Sequence, residues 1–93
     1  MNKKVLFITD TLEELDLKKD TSILMMEESI KLGFDVYQCQ VEDLYAENSE
    51  VIVFAKKITT AGSSEIKFED ASTHSIKTFE YSFFLSSDKP FLC

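Results

Sequence analysis

Lys4-Val5-Leu6-Phe7-Ile8-Thr9-Asp10, a charged loop, and then Asp20-Thr21-Ser22-Ile23-Leu24-Met25-Met26 decide the reading of this chain. Residues 4–9 form a nearly continuous apolar run, the pattern of a strand buried on both faces. A run this short also fits a buried helix segment, so the residues after it carry the assignment. Asp10 marks the point where the strand surfaces, and residues 11–19 are a polar, charged loop. Asp20 can accept a hydrogen bond from an otherwise unpaired amide of a first helical turn. Ile23, Met26 and Ile30 recur at helical spacing, which predicts that they face a core while Glu27 and Lys31 face water. Gly33 supplies the left-handed position that ends many helices. Residues 34–41 then return as a second strand. Strand, helix, strand builds a parallel pair with a right-handed crossover. The expectation is a three-layer α/β domain with a mostly parallel sheet. Residues 4–9 are central and parallel to 34–40, and residues 21–32 cross over.

Outward from this unit, Val41-Glu42-Asp43-Leu44-Tyr45 reads as a short connector with apolar anchors, and Glu47-Asn48-Ser49 is a turn signal. Residues 50–59 contain Val51-Ile52-Val53-Phe54-Ala55, rich in β-branched side chains. A turn between two such pieces predicts a β-hairpin excursion that mixes the sheet locally. Residues 60–64 are a loop by composition. Residues 65–77 are polar and lack a period; they read as an irregular excursion with a short strand at 65–68. Residues 79–85 are the second strongly apolar run and the candidate for another central strand. The chain leaves them through Ser86-Ser87-Asp88-Lys89-Pro90-Phe91, where Pro90 prevents ladder pairing. It stops shortly afterwards with no helix to cover the second face of a parallel sheet. The expectation is one domain, residues 1–93, that forms the front part of something longer.

Composition narrows the partners. Ten basic against seventeen acidic residues give a net charge of −7, which argues against nucleic acid and against an anionic membrane surface. No apolar run approaches the ~18 residues of a membrane-spanning helix, and the short run behind Lys3 and Lys4 is not a signal peptide. The expected location is cytoplasmic. Cys39 and Cys93 form neither a disulfide framework nor a metal spacing, and Cys39 reads as a small core residue. Gly33 and Gly62 are the only glycines, so no glycine-rich phosphate loop is present. His74, the single histidine, falls in the polar excursion and reads as a solvated loop residue. Lys18 and Lys19 could meet an anion, although paired loop lysines are ordinarily just solvated.

In open α/β sheets ligands gather beyond the carboxyl ends of the strands. Here that rim would carry the Asp10 loop, the helix start Asp20-Thr21-Ser22, and the loop with Ser86, Asp88 and Pro90. Each also has a plain structural role. Asp10 can end a strand, Asp20 can cap a helix, and Asp88 can make a turn before Pro90.

Asp10, Leu17-Lys18-Lys19-Asp20-Thr21-Ser22, Met25-Met26-Glu27-Glu28, Gly33, Val36-Tyr37 and Asp43-Leu44-Tyr45 occur here in one order. That order and spacing resemble the N-terminal domain of prokaryotic glutathione synthetase. The resemblance covers nearly the whole chain and returns at Asp88, Pro90 and Phe91. It implies a Rossmann-like pre-ATP-grasp domain from an ATP-grasp ligase that joins γ-glutamylcysteine to glycine through an acyl phosphate. It further implies that this domain walls one side of the substrate cleft at Asp10, Asp20, Thr21, Ser22, Ser86, Asp88 and Pro90, and contributes homo-oligomer contacts. ATP and magnesium would be held by later domains, so none is expected in this chain and no residue here is expected to be catalytic. Departures from the family pattern are Thr11 in place of a proline, Ser86 and Ser87 in place of basic residues, and Lys89 in place of another proline. Two other readings compete. One is a receiver-like regulatory domain, which lacks here the aspartate expected after the third strand. The other is a free-standing interaction module without catalysis.

Overall fold

A computed structural model of the chain describes residues 2–85. Strand β1 (Lys4–Ile8) leads through a 3-10 turn (Leu12–Glu14) into helix α1 (Thr21–Lys31) and strand β2 (Asp35–Cys39). A second 3-10 turn (Val41–Asp43) opens a hairpin of β3 (Leu44–Glu47) and the long β4 (Glu50–Ala61). β5 (Ile66–Phe68), β6 (Ser72–Ser75), a third 3-10 turn (Ile76–Thr78) and β7 (Tyr81–Phe84) complete the order.

The opening strand–helix–strand unit forms as its sequence pattern predicts. β1 pairs in parallel with β2, with Lys4 opposite Asp35 and Ile8 opposite Cys39. It pairs in parallel with β7 on its other side. Residues of β1 alternate between two cores. Val5 and Phe7 join Leu12, Leu15, Ile23, Met26, Val36 and Ile58 under α1. Leu6 and Ile8 join Cys39, Val53, Ala55 and Phe79 on the opposite face. Leu6 and Phe7 are both 0 % exposed, so the apolar run is indeed a strand covered on two sides.

The mostly parallel, Rossmann-like arrangement is not what the chain adopts. Only the pairs of β1 with β2 and β7 are parallel; β2–β4, β3–β4, β4–β5 and β4–β6 are antiparallel. The path runs β3-β4-β2-β1-β7, with β5 and β6 on β4. The described residues contain one α-helix, which covers one face, so there is no third layer of helices. The second face is covered by the sheet itself. β2 and β3 follow each other along one edge of β4, separated by the 3-10 turn, while β5 and β6 share the other edge. The Glu69 amide donates to the Lys57 carbonyl at 2.9 Å and keeps that second ladder continuous. The arm made by β3, the first half of β4 and β6 curls over β1 and β2 as a half-barrel. Its Val53 and Ala55 close the second core, while Ile58, further along the same strand, belongs to the first.

Three local expectations are also corrected. Among the described residues β7 is an edge strand and not a central one: Tyr81, Phe83 and Phe84 are exposed, Phe84 by 63 %, although Phe83 stacks on Phe7 with ring centroids 5.4 Å apart. Apolar composition is a poor guide there because an edge position leaves the side chains without a second neighbouring strand. The short strand expected at 65–68 forms as β5, but the rest of the stretch 65–77 is not irregular: it holds β6, whose polar side chains suit an edge that faces water. On α1, Ile23 and Met26 are buried and Ile30 packs beside them, but Glu27 is half-buried instead of facing water freely.

The hairpin forms where the turn signal predicts. Asn48 and Ser49 both take positive φ, 53° and 65°, the conformation that matches a two-residue turn to the twist of its strands. Asn tolerates this geometry; Ser does so at a cost. Ser49→Gly should therefore raise stability by about 0.5–1 kcal/mol in urea denaturation, the relieved strain exceeding the entropy that glycine adds to the unfolded chain. A loss of stability would show that the turn is not under strain at Ser49.

Candidate functional site

The carboxyl ends of β1 and β7 and the start of α1 lie on one rim. The Leu85 amide donates to the Ile8 carbonyl at 2.8 Å, carrying the β1–β7 ladder one step past β7. An open cavity of about 500 Å³ lies between that end and the helix. Its polar wall is Asp16, Lys19, Asp20, Thr21 and Ser22, and its apolar wall is Phe84 and Leu85.

The polar wall is built by a hydrogen-bonded turn. The Asp16 carbonyl accepts from the amides of Lys19 and Asp20 at 3.1 and 2.8 Å, and the Asp16 carboxylate accepts from the Lys18 amide at 3.0 Å. This delivers Asp20 to the N-cap of α1 with extended backbone. Its carboxylate accepts from the Ser22 amide at 3.1 Å and from the Ser22 hydroxyl in a short contact. Ser22 is buried, and both of its donors are turned to Asp20. Thr21 and Lys19 are exposed and carry the groups most open to the cavity. The helix terminus adds partial positive charge there, and Lys19 adds a full one.

Of the residues expected on the rim, Asp20, Thr21 and Ser22 are thus brought together. Asp10 is half-buried at the end of β1 and is not among the cavity-lining residues. Its carbonyl accepts from the Thr9 hydroxyl at 2.7 Å and from Gln38 Nε2 at 3.2 Å. Ser86, Asp88 and Pro90 lie outside the described residues. Asp16, Phe84 and Leu85 escape sequence reasoning, and Lys19 reads there as merely solvated. The position of Leu85 at the end of a parallel strand is the signal that could have found the apolar wall.

Other chemistry-bearing groups are structural. Gln38 is buried against β1; its amide donates to Thr9 Oγ1 at 2.8 Å, while its Oε1 is, among the described residues, the buried side-chain polar atom without a partner. Burial, reinforced by Asp43, pushes the Cys39 thiol up to about 12, which keeps it protonated and unreactive at neutral pH. Among the described residues no group of three or more His, Cys, Asp or Glu side chains is placed to hold a metal ion. No helix among them is long and apolar enough to cross a membrane.

The family model for the prokaryotic glutathione synthetase N-terminal domain matches residues 3–91. The chain belongs to this family. No curated protein matches the chain. Membership as a glutathione synthetase N-terminal domain places it in the setting of glutathione biosynthesis and of a ligase. It also displaces the receiver-like reading. The match spans the helix start and the carboxyl ends of β1 and β7, so the cavity lies within the matched segment.

Asp20 is the residue that orders the polar wall. Asp20→Ala should cost about 0.5–2 kcal/mol in chemical denaturation, the usual loss for an N-cap acceptor, and Asp20→Asn should recover most of it. Equal losses for both variants would show that the cap is not what Asp20 contributes.

Proposed function

We propose that this domain forms one wall of the substrate cleft of a cytoplasmic glutathione synthetase-like ligase, at the cavity between α1 and β7. The observation that carries this reading is the coincidence of the family match with an open cavity at the carboxyl ends of the parallel strands. γ-Glutamylcysteine carries two carboxylates and one ammonium. The exposed Lys19 and the amino-terminal end of α1 suit one of the carboxylates, Asp16 suits the ammonium, and Phe84 with Leu85 suits the cysteinyl methylene and sulfur.

ATP and magnesium belong, in this reading, to parts of the protein beyond this domain. Magnesium with nucleotide wants carboxylates and phosphate oxygens gathered at one point. Phosphoryl transfer to a carboxylate further needs cationic groups around the developing charge. The described residues offer the single exposed Lys19 at the cavity, so the domain's own contribution is to hold and orient the dipeptide.

The test uses the full-length protein. Lys19→Ala should raise the KM for γ-glutamylcysteine about tenfold, the loss of one charge-assisted hydrogen bond, with kcat nearly unchanged. Ser64→Ala, in the loop between β4 and β5, serves as the control and should leave both constants as they are. Unchanged KM in Lys19→Ala and in Thr21→Val would remove the cavity from the substrate cleft.

A further inference from the structure

On the curled face of the sheet, away from the cavity, a basic side chain of β1 meets the edge strand β6. Lys4 Nζ lies 3.1 Å from His74 Nδ1 and donates to Thr78 Oγ1, also at 3.1 Å. The same ammonium sits over the rings of Phe79 and Tyr37, 4.7 and 5.2 Å from their centroids. His74 packs edge-on against Tyr37 with centroids 4.7 Å apart, and tilted against Phe79 at 5.6 Å. Its Nε2 is 2.9 Å from Ser72 Oγ. A lysine ammonium has only donors, so Nδ1 must accept from it, which leaves the Nε2 proton to be donated to Ser72. The contact therefore requires the neutral ring.

We propose that the Lys4–His74 contact is a pH-operated latch: it fastens β6 and the 3-10 turn after it across the curled sheet, and protonation of His74 releases them. β6 is joined by its ladder to β4 alone, and its own side chains are polar, with Ser72 and Thr73 exposed and His74 and Ser75 half-buried. The polar tie from that segment across to β1 runs through His74 and Thr78, beside the packing of Ile76 and Phe79 on the second core. A proton on Nδ1 removes the acceptor and sets two cations 3.1 Å apart. Lys4 cannot turn away without giving up Thr78 and the two rings.

The surrounding charges leave this conflict standing. From β1 the ring faces Lys4, and from β2 it faces Tyr37. Asp35 of β2 supports the Lys4 charge but not that of His74, and it already pairs with Lys57 of β4 at 3.7 Å and accepts from Asn2 at 3.2 Å. Val53, the register partner of His74 on β4, is apolar. Glu50 at the start of β4 is taken by Lys77 at 3.3 Å and by the Ser75 hydroxyl at 3.4 Å. Burial, and then the Lys4 charge, hold His74 below the ordinary histidine value. The folded chain thus binds fewer protons than the unfolded chain below about pH 6.5, and stability falls as pH drops through that value toward the lower folded-state one.

The test is amide hydrogen exchange of the whole chain by NMR, corrected for intrinsic rates, with the His74 ring titrated in the same samples. Between pH 7.5 and 5.5 the protection of residues 72–78 should fall, by at most about tenfold, the ceiling that an ordinary histidine in the opened segment sets, while β1 and β2 hold theirs. His74→Gln should abolish the pH dependence. Lys4→Met, which keeps the aliphatic stem, should raise the His74 pKa toward 6.5. If Lys4→Met does not fold, the comparison of unmodified chain with His74→Gln still decides. A His74 ring that titrates at or above 6.5, protection of 72–78 that does not change with pH, or a pH dependence that survives in His74→Gln would each overturn the latch.

Discussion

Everything in this domain depends on burying β1 from both sides. Leu6 and Phe7 are adjacent, point to opposite faces and are both inaccessible to solvent. Each fully buried side chain of this kind contributes about 1.5–3 kcal/mol relative to exposure, so the strand needs two covers. α1 provides one through Ile23 and Met26. The chain has no second α-helix among the described residues, and it solves the problem by bending β4 until Val53 and Ala55 reach Leu6 and Ile8. The half-barrel, the polar edge at β6 and the Lys4–His74 contact all result from that bend.

The parts of the fold that are legible in the sequence are those set by local pattern. The β1 run, the Asp20 cap, the spacing of Ile23, Met26 and Ile30, Gly33 with its positive φ, and the turn at Asn48 and Ser49 are local signals, and the structure carries each of them. What escapes is set by long-range pairing. β4 places Val53 and Ala55 in one core and Ile58 in the other, and a one-dimensional pattern does not say that a strand passes from one core to another. The aromatic run of β7 looks central because apolar side chains at an edge and in a centre read alike. β6 looks like loop because its residues meet water on one side and only β4 on the other.

The candidate site divides in the same way. Asp20, Thr21 and Ser22 are legible because a cap has a sequence signature. That Ser22 turns both donors to Asp20, and that Asp16, Lys19 and Thr21 are the exposed members, depends on how the Asp16–Lys19 turn closes. Asp10 shares the rim in sequence logic, but its place at the end of β1 is set by the buried amide of Gln38. His74 reads as solvated because its neighbours in sequence are polar; its neighbours in space are Tyr37, Phe79 and Lys4.

The claim that the sheet curls over its own central strand is tested most directly by methyl contacts in solution. In a methyl-labelled chain, nuclear Overhauser effects should connect Val53 to Leu6 or Ile8, while Val5 connects to Ile23 of the helix. An open, flat sheet would keep the Val5–Ile23 contact and lose every contact between Val53 and β1, and that result would contradict the account.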